Sequence, residues 1–262
     1  MKIYRQIFGK IDTESMKANL EEILKEDLGW GYFSKNLEEE SNEYNLLKSY
    51  INVYNLHDSA IDTEFTKEEV YDSEILCFRG GRPFSYPEPQ EPKFLDNTYL
   101  NSCYECGTHG EQKADFVIKK DPSLKLNSVG TLHWVFGELF SEKSLYDNFF
   151  SEFGLDMRPV KISKTDRFAS SVVQVVIPEL KYNLNMKNLE HSVCSQCGIV
   201  KYIAGNVGFF PVPEDKDISI VRTKEFFGSG HSAHNKVLLN NGIMQEMTKR
   251  KIAKVHQFTP CR

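Results

Sequence analysis

At 262 residues, with 40% hydrophobic and 26% charged side chains, the chain can bury a sizeable core and is composed like an ordinary globular protein, which sets disorder aside. Its 37 acidic against 32 basic side chains give a formal charge of -5, the wrong sign for a dedicated nucleic-acid binder and the right one for a basic partner. No run approaches the roughly 18 consecutive apolar residues of a membrane span, so no membrane partner is expected. The opening MKIYRQIFGKIDTESMK lacks the apolar core of a signal peptide, so a cytoplasmic location is expected. In that reducing compartment the six cysteines are metal ligands or free thiols rather than disulfides.

In chain order, DTESMKANLEEILKED starts with Asp and Thr, carries Met16, Leu20, Ile23 and Leu24 at helical spacing, and has Gly29 beyond it: a predicted helix. LEEESNEYNLLKSYINVYNL predicts a second, although its end is rich in β-formers. The acidic runs EEES and TEFTKEEVYDSE read as solvated faces, and GGRPFSYPEPQEP as a loop. Residues 1–92 are thus expected to form a helical and loop region.

Two repeats are expected after it, over 93–163 and 164–262, forming one compact α+β body. Each opens on the same word, CxxCG: Cys103, Cys106 and Gly107, then Cys194, Cys197 and Gly198. After the first knuckle the order predicted is strand at ADFVIKK, strand within TLHWVFGELF, helix from Ser141 stopped by Gly154, and strand at MRPVKI. After the second it is strand at ISIVRT, helix at HSAHNKVLLNN stopped by Gly242, and strand beyond. The interval from Cys103 to Gly154 nearly equals that from Cys194 to Gly242, which argues for a duplication, with SEILCF and SVVQVVI as matching approaches.

Two thiolates separated by two residues fit one side of a tight turn, and a following glycine permits the left-handed backbone that turn requires. Two such knuckles, Cys103 with Cys106 and Cys194 with Cys197, supply the four soft ligands of a structural, tetrahedral Zn2+ site that would clamp the two halves together. A thioredoxin-like redox pair would need a strand before the motif and a helix after it, and neither GTHGEQ nor GIVKYI reads as a helix start. Reduced thiols without metal, or disulfides formed after isolation, remain the bland alternatives. His231 and His234 in GSGHSAHNK could share a helical face, but no HExxH-type carboxylate accompanies them; His109 could replace a cysteine ligand, and His133 beside Trp134 reads as a strand residue. No nucleophile elbow, phosphate loop or dinucleotide fingerprint is present, so no catalytic residue is assigned and the chain is not expected to be an enzyme.

The paired CxxCG words, the segment LHWVFGELFSEKSL between them and DISIVRTKEFFGSGHSAHNKVLLNNGIMQEM after them resemble the double-CXXCG motif proteins of myxobacterial paralogue type. The resemblance runs from about residue 93 to the C-terminus and carries over Cys103, Cys106, Gly107, Cys194, Cys197 and Gly198. It implies an immunity protein: a binding partner that neutralises a cognate polymorphic toxin, a nuclease by preference, in the cytosol. The competing class is a zinc-ribbon nucleic-acid-binding regulator, drawing on Lys113, Lys119, Lys120 and Lys125 after the first knuckle and Lys249, Arg250, Lys251 and Lys254 near the C-terminus. An enzyme using zinc or thiol chemistry is a third.

Overall fold

The structure, a computed structural model, describes residues 1–90, 93–187, 189–203 and 207–262. The chain divides into two compact units, the first Met1–Thr66, to which Gly208 also belongs through its N–H bond to Thr63 Oγ1 at 2.8 Å, and the second from Lys67 on.

The first unit opens with a strand. In KIYRQIFGKI, strand β1 (Lys2–Ile11), Ile7, Gly9 and Ile11 are buried while Phe8 and Lys10 are exposed, the period-two alternation of a half-buried strand. Thr13 Oγ1 accepts the Met16 N–H at 3.2 Å and starts helix α1 (Glu14–Leu24), which ends where Lys25 turns left-handed. Strand β2 (Gly31–Glu38) follows, then helix α2 (Asn42–Ile51), capped by Ser41 Oγ, and strand β3 (His57–Glu64). The strands form an antiparallel sheet of order β2-β1-β3 whose inner face packs Ile7 and Ile11 on Met16 and Leu20 of α1 and Tyr44 and Leu47 of α2. Arg5 lies on this side as well, bound to Asp58 at 2.7 Å, and Tyr44 donates to the same carboxylate at 2.9 Å. Both predicted helices are present, but the expectation of a helical N-terminal region is corrected: three strands organise it. In the EEES run, Glu38 pairs with Lys2 at 2.9 Å and Glu39 with Arg5 at 3.0 Å.

The second unit runs α3 (Lys67–Tyr71), β4 (Ile75–Phe78), β5 (Arg82–Ser85), α4 (Lys93–Thr98), β6 (Val117–Ile118), β7 (Val129–Leu132), β8 (Val135–Glu142) and α5 (Lys143–Asn148). A 3-10 turn at Phe150–Phe153, β9 (Asp156–Ile162), β10 (Phe168–Val176), β11 (His191–Val193) and β12 (Val200–Tyr202) follow. The chain continues with β13 (Ile220–Arg222), β14 (Phe226–Phe227), β15 (Val237–Asn240), α6 (Asn241–Lys249) and β16 (Phe258–Pro260). The stretch expected to be wholly loop thus contains β5, an edge strand parallel to β7, where Pro83 removes a donor that an edge can spare; residues 91 and 92 at its end lie outside the described residues.

Two sheets dominate, of order β5-β7-β8-β10-β9-β6 and β13-β15-β4-β16, with β11-β12-β14 beside them. Their central registers correspond. Val172 to Val175 of β10 oppose Glu142 back to Leu139 of β8, and Ile75 to Phe78 of β4 oppose Asn240 back to Val237 of β15. In each case the last residue of the outer strand, Glu142 or Asn240, caps the helix that follows with its side chain. The returning strand then pairs with the other side of the centre, placing Pro159 opposite Val173 and Pro260 opposite Leu76. At the margins β5 runs parallel to β7 as Glu179 does to Arg222, and β6 runs parallel to β9 as Phe210 does to Cys261.

The strand, helix and strand expected after the first knuckle are in place, with Glu142 rather than Ser141 as the cap. After the second knuckle the strand expected at ISIVRT is present as β13, but the helix and strand after it are not: HSAHNKVLLNN is not a helix but a 3-10 turn, Gly230–Ser232, leading into β15, and the helix α6 occupies the residues expected to be a strand. The reason is local. Asn240 Oδ1 accepts the Ile243 N–H at 3.0 Å, so Asn240 begins a helix, and Gly242 lies in the first turn of α6 instead of closing an earlier one.

Candidate metal centre

Each CxxCG word folds into the same turn. The Gly107 N–H donates to the Cys103 carbonyl at 2.8 Å and the Cys103 N–H to the Thr108 carbonyl at 2.9 Å; the Gly198 N–H donates to the Cys194 carbonyl at 2.9 Å and the Cys194 N–H to the Ile199 carbonyl at 3.0 Å. Gly107 and Gly198 have φ of 75° and 74°, the left-handed region that glycine enters without strain. The second knuckle is carried on the β11–β12 hairpin, and the first lies between α4 and β6. Neither leads into a helix, so neither has the helix N-terminus of a thioredoxin-like pair.

The two turns face each other. Cys103 Sγ lies 3.9 Å from Cys194 Sγ, Cys106 Sγ lies 3.6 Å from Cys197 Sγ, and all four sulfurs are within 4.8 Å of one another with no disulfide among them. A tetrahedron with metal–sulfur bonds of ~2.3 Å has edges of ~3.8 Å, so the four sulfurs are spaced to hold one metal ion. Cys103, Cys106 and Cys194 are buried and Cys197 is exposed. The Thr108 hydroxyl lies between two of the ligands, 3.0 Å from Cys106 Sγ and 3.7 Å from Cys197 Sγ. Burial pushes Cys106 up to about 12; at Cys197 burial is outweighed by the Ile199 N–H, the Thr108 hydroxyl and the neighbouring thiols, which bring it down to about 6.

Among the described residues no other group of three or more His, Cys, Asp and Glu side chains converges in this way. His109 is not drawn into the cluster: it stacks on Tyr99 at 3.5 Å, donates from Nδ1 to the Gly110 carbonyl at 3.0 Å, and is lowered to about 4 by burial. His231 binds the Tyr104 carbonyl through Nδ1 and so holds the first knuckle from outside. His234 donates to the Ser232 carbonyl at 2.7 Å and accepts from Lys236 at 3.0 Å, while His133 stacks on Tyr86. Cys77 and Cys261 lie apart from the quartet in the core of the four-stranded sheet.

Sequence reasoning missed a buried polar network beside the centre. Glu138 of β8 accepts from Tyr99 at 3.2 Å, from Gln174 of β10 at 2.9 Å and from Arg222 of β13 at 3.4 Å, while Arg222 also reaches Glu179 at 3.2 Å. Burial raises the Glu138 carboxyl, and Arg222 opposes that rise. The signal was available: the word FGELF sets a glutamate between Phe136 and Phe140 on one face of a strand. Comparison with family models, curated proteins and solved structures returned no match.

Proposed function

We propose that the chain is a cytosolic immunity protein that binds and neutralises a cognate bacterial toxin, with a nuclease as the activity whose basic surface suits it best. The observation that carries this reading is the distribution of charge. Residues 1–66 hold thirteen acidic side chains against seven basic ones, a formal charge of -6, whereas residues 67–262 hold 24 against 25 and are close to neutral. The acidity is therefore not spread evenly but gathered in the unit that lacks the metal ligands. An acidic unit attracts a basic protein, speeding encounter at low salt, and repels nucleic acid.

The metal is read as one structural Zn2+ held by Cys103, Cys106, Cys194 and Cys197, since four thiolates suit a soft ion and leave no open position for a reacting water. The body it joins is read as a tandem duplication whose leading strands have changed places. In support, β4 precedes the first knuckle yet lies between β15 and β16, and β10 precedes the second yet lies between β8 and β9. The two exchanged strands keep the same four-residue register and an opposing proline at the corresponding position, and each lies beside a strand whose last residue caps the following helix. Zinc then ties one turn of each copy to the other.

The test of function is co-expression with the product of the neighbouring open reading frame. Growth should be restored, a one-to-one complex should be isolated, and association should slow as salt rises while dissociation changes little. Absence of protection together with a shift of duplex DNA would replace this reading with the regulator. That second reading has its own support: Lys249, Lys251 and Lys254 line one open groove of about 720 Å³ with Tyr71.

A further inference from the structure

The two CxxCG words fold alike but are not surrounded alike, and the differences fall on residues that face sulfur. Four thiolates around one divalent ion leave two negative charges in a site where Cys103, Cys106 and Cys194 are buried, and such charge needs hydrogen-bond donors in place of water. The backbone supplies part of them. Each knuckle turns the N–H two residues past its second cysteine onto that cysteine's sulfur, Thr108 onto Cys106 and Ile199 onto Cys197. There the likeness ends: Cys197 is exposed and open to water, whereas Cys106 is fully buried.

Two side chains supply what the backbone does not, each reaching across to the opposite knuckle. Thr108 is itself fully buried, and among the described residues its hydroxyl touches only sulfur, Cys106 Sγ of its own knuckle at 3.0 Å and Cys197 Sγ of the other at 3.7 Å. A metal-bound thiolate only accepts, so this hydroxyl donates. The matching position in the second knuckle is Ile199, which has no such group to offer. In the opposite sense Gln196, between the cysteines of the second knuckle, puts its amide 3.6 Å from Cys103 Sγ of the first. A protonated sulfur donates to Oε1 there; once the thiolate forms, a half-turn of the amide presents Nε2 in the same place. We propose that Thr108 and Gln196 are positioning residues of the metal centre, whose reciprocal donors across the knuckles hold the thiolates for the ion and set how tightly it binds. The inference rests on the reading of a metal at the quartet and adds the residues other than cysteine that tune it.

The test uses the whole chain, stripped of metal under reducing conditions and titrated with Co2+, whose thiolate charge-transfer band reports on the sulfurs as well as on occupancy. Thr108→Val keeps the shape and removes the hydroxyl, Thr108→Ser restores a hydroxyl, and Gln196→Met removes the amide from an exposed side chain. Thr108→Val should bind Co2+ at least about ten-fold more weakly, the lower end of the loss expected when a partner of a metal ligand is removed. Its band should also move to lower energy, because sulfur lone pairs no longer held by a proton are easier to ionise. Thr108→Ser should keep the parental band and nearly the parental affinity. Gln196→Met should move the band in the same direction with a smaller loss of affinity, since water reaches that position and replaces part of the amide's bond. A side chain that served only to pack would change affinity and leave the band in place. An unmoved band in either Thr108→Val or Gln196→Met would therefore overturn the proposal, as would a Thr108→Ser that binds as weakly as Thr108→Val. Because Gln196 is exposed, its variant reads the proposal even where Thr108→Val does not fold. A parental chain that gives no four-thiolate Co2+ spectrum would instead remove the metal reading itself, an outcome distinct from all of these.

Discussion

Two glycines with nearly the same φ meet different surroundings, and that difference yields a direct comparison. A Cβ at Gly198 would meet nothing within 4 Å, so Gly198→Ala carries only the left-handed backbone penalty, about 1–2 kcal/mol. A Cβ at Gly107 would lie 2.2 Å from the His231 carbonyl oxygen, backbone that cannot move without dislodging the turn on the first knuckle. Gly107→Ala should therefore lower the urea midpoint clearly more than Gly198→Ala, and equal losses would mean that His231 does not brace the knuckle. His234 provides a second measurement. Its pKa is brought down to about 4 by burial and then by Lys236, against the Ser232 carbonyl, and Phe136 lies over the ring at 5.5 Å. In the unfolded chain a histidine titrates near 6.5, so between about 6.5 and about 4 the unfolded state binds a proton that the folded state does not. The resulting contribution is complete above pH 6.5 and is lost as pH falls through that window, at most about 3 kcal/mol in all. His234→Gln should flatten the fall in stability over that range; measured against the parent at fixed zinc, acid release of the metal affects both proteins alike and drops out of the difference.

The helices after the two central registers begin in corresponding ways, which makes their caps a test at the level of elements. Asn240 accepts from the Ile243 N–H at 3.0 Å and donates to the Ile218 carbonyl at 2.9 Å; Glu142 accepts from Ser144 and Leu145 at 3.1 and 3.2 Å. Asn240→Ala should cost about 1–2 kcal/mol, more than Glu142→Ala, because it also leaves the Ile218 carbonyl without its donor. Thermal unfolding of the two variants decides the order. These caps also explain where the sequence misleads. Thr13 and Ser41 stand before clean helical spacing and announce α1 and α2, whereas Asn240 followed by Gly242 resembles the end of a helix as much as the start of one. The strand β1 was legible in the alternation of Ile7, Gly9 and Ile11 with Phe8 and Lys10, but it lies beside a helix signal strong enough to colour the whole region. The cysteine quartet was legible because CxxCG is a local word whose turn closes on its own backbone, from Gly107 to Cys103 and from Gly198 to Cys194. What no local word could reveal is the placement of β4 and β10, since a central strand reads as the same apolar run whichever sheet receives it.

At the scale of the whole chain the metal and the strand placement make one claim about cooperativity. The first unit has its own sheet and its own core of Ile7, Leu20, Tyr44 and Leu47, whereas in the second unit each dominant sheet includes a strand from before the first knuckle, β5 at the edge of one and β4 at the centre of the other. Loss of the metal should therefore not loosen one half of the second unit alone. Four thiolates released from a structural ion are left at mutual distances of 3.6–4.8 Å, where their charges repel unless protons return, and the apparent binding free energy that folding had drawn on is withdrawn. Once the turns separate, β4 and β5 are strained together, because both precede the first knuckle and pair with strands beyond it, β4 with β15 and β16 and β5 with β7. Titration with a chelator under reducing conditions, followed by amide exchange, should accelerate exchange in β4, β8, β10 and β15 at a common chelator concentration. Strands β1, β2 and β3 should keep their protection through that step. Cys194→Ser, which removes one ligand, should reproduce the chelator pattern without chelator. Exchange that rises in β11 and β12 only, with both dominant sheets protected, would mean that the ion ties down a hairpin rather than the unit; simultaneous loss in β1 to β3 would mean that the two units unfold as one.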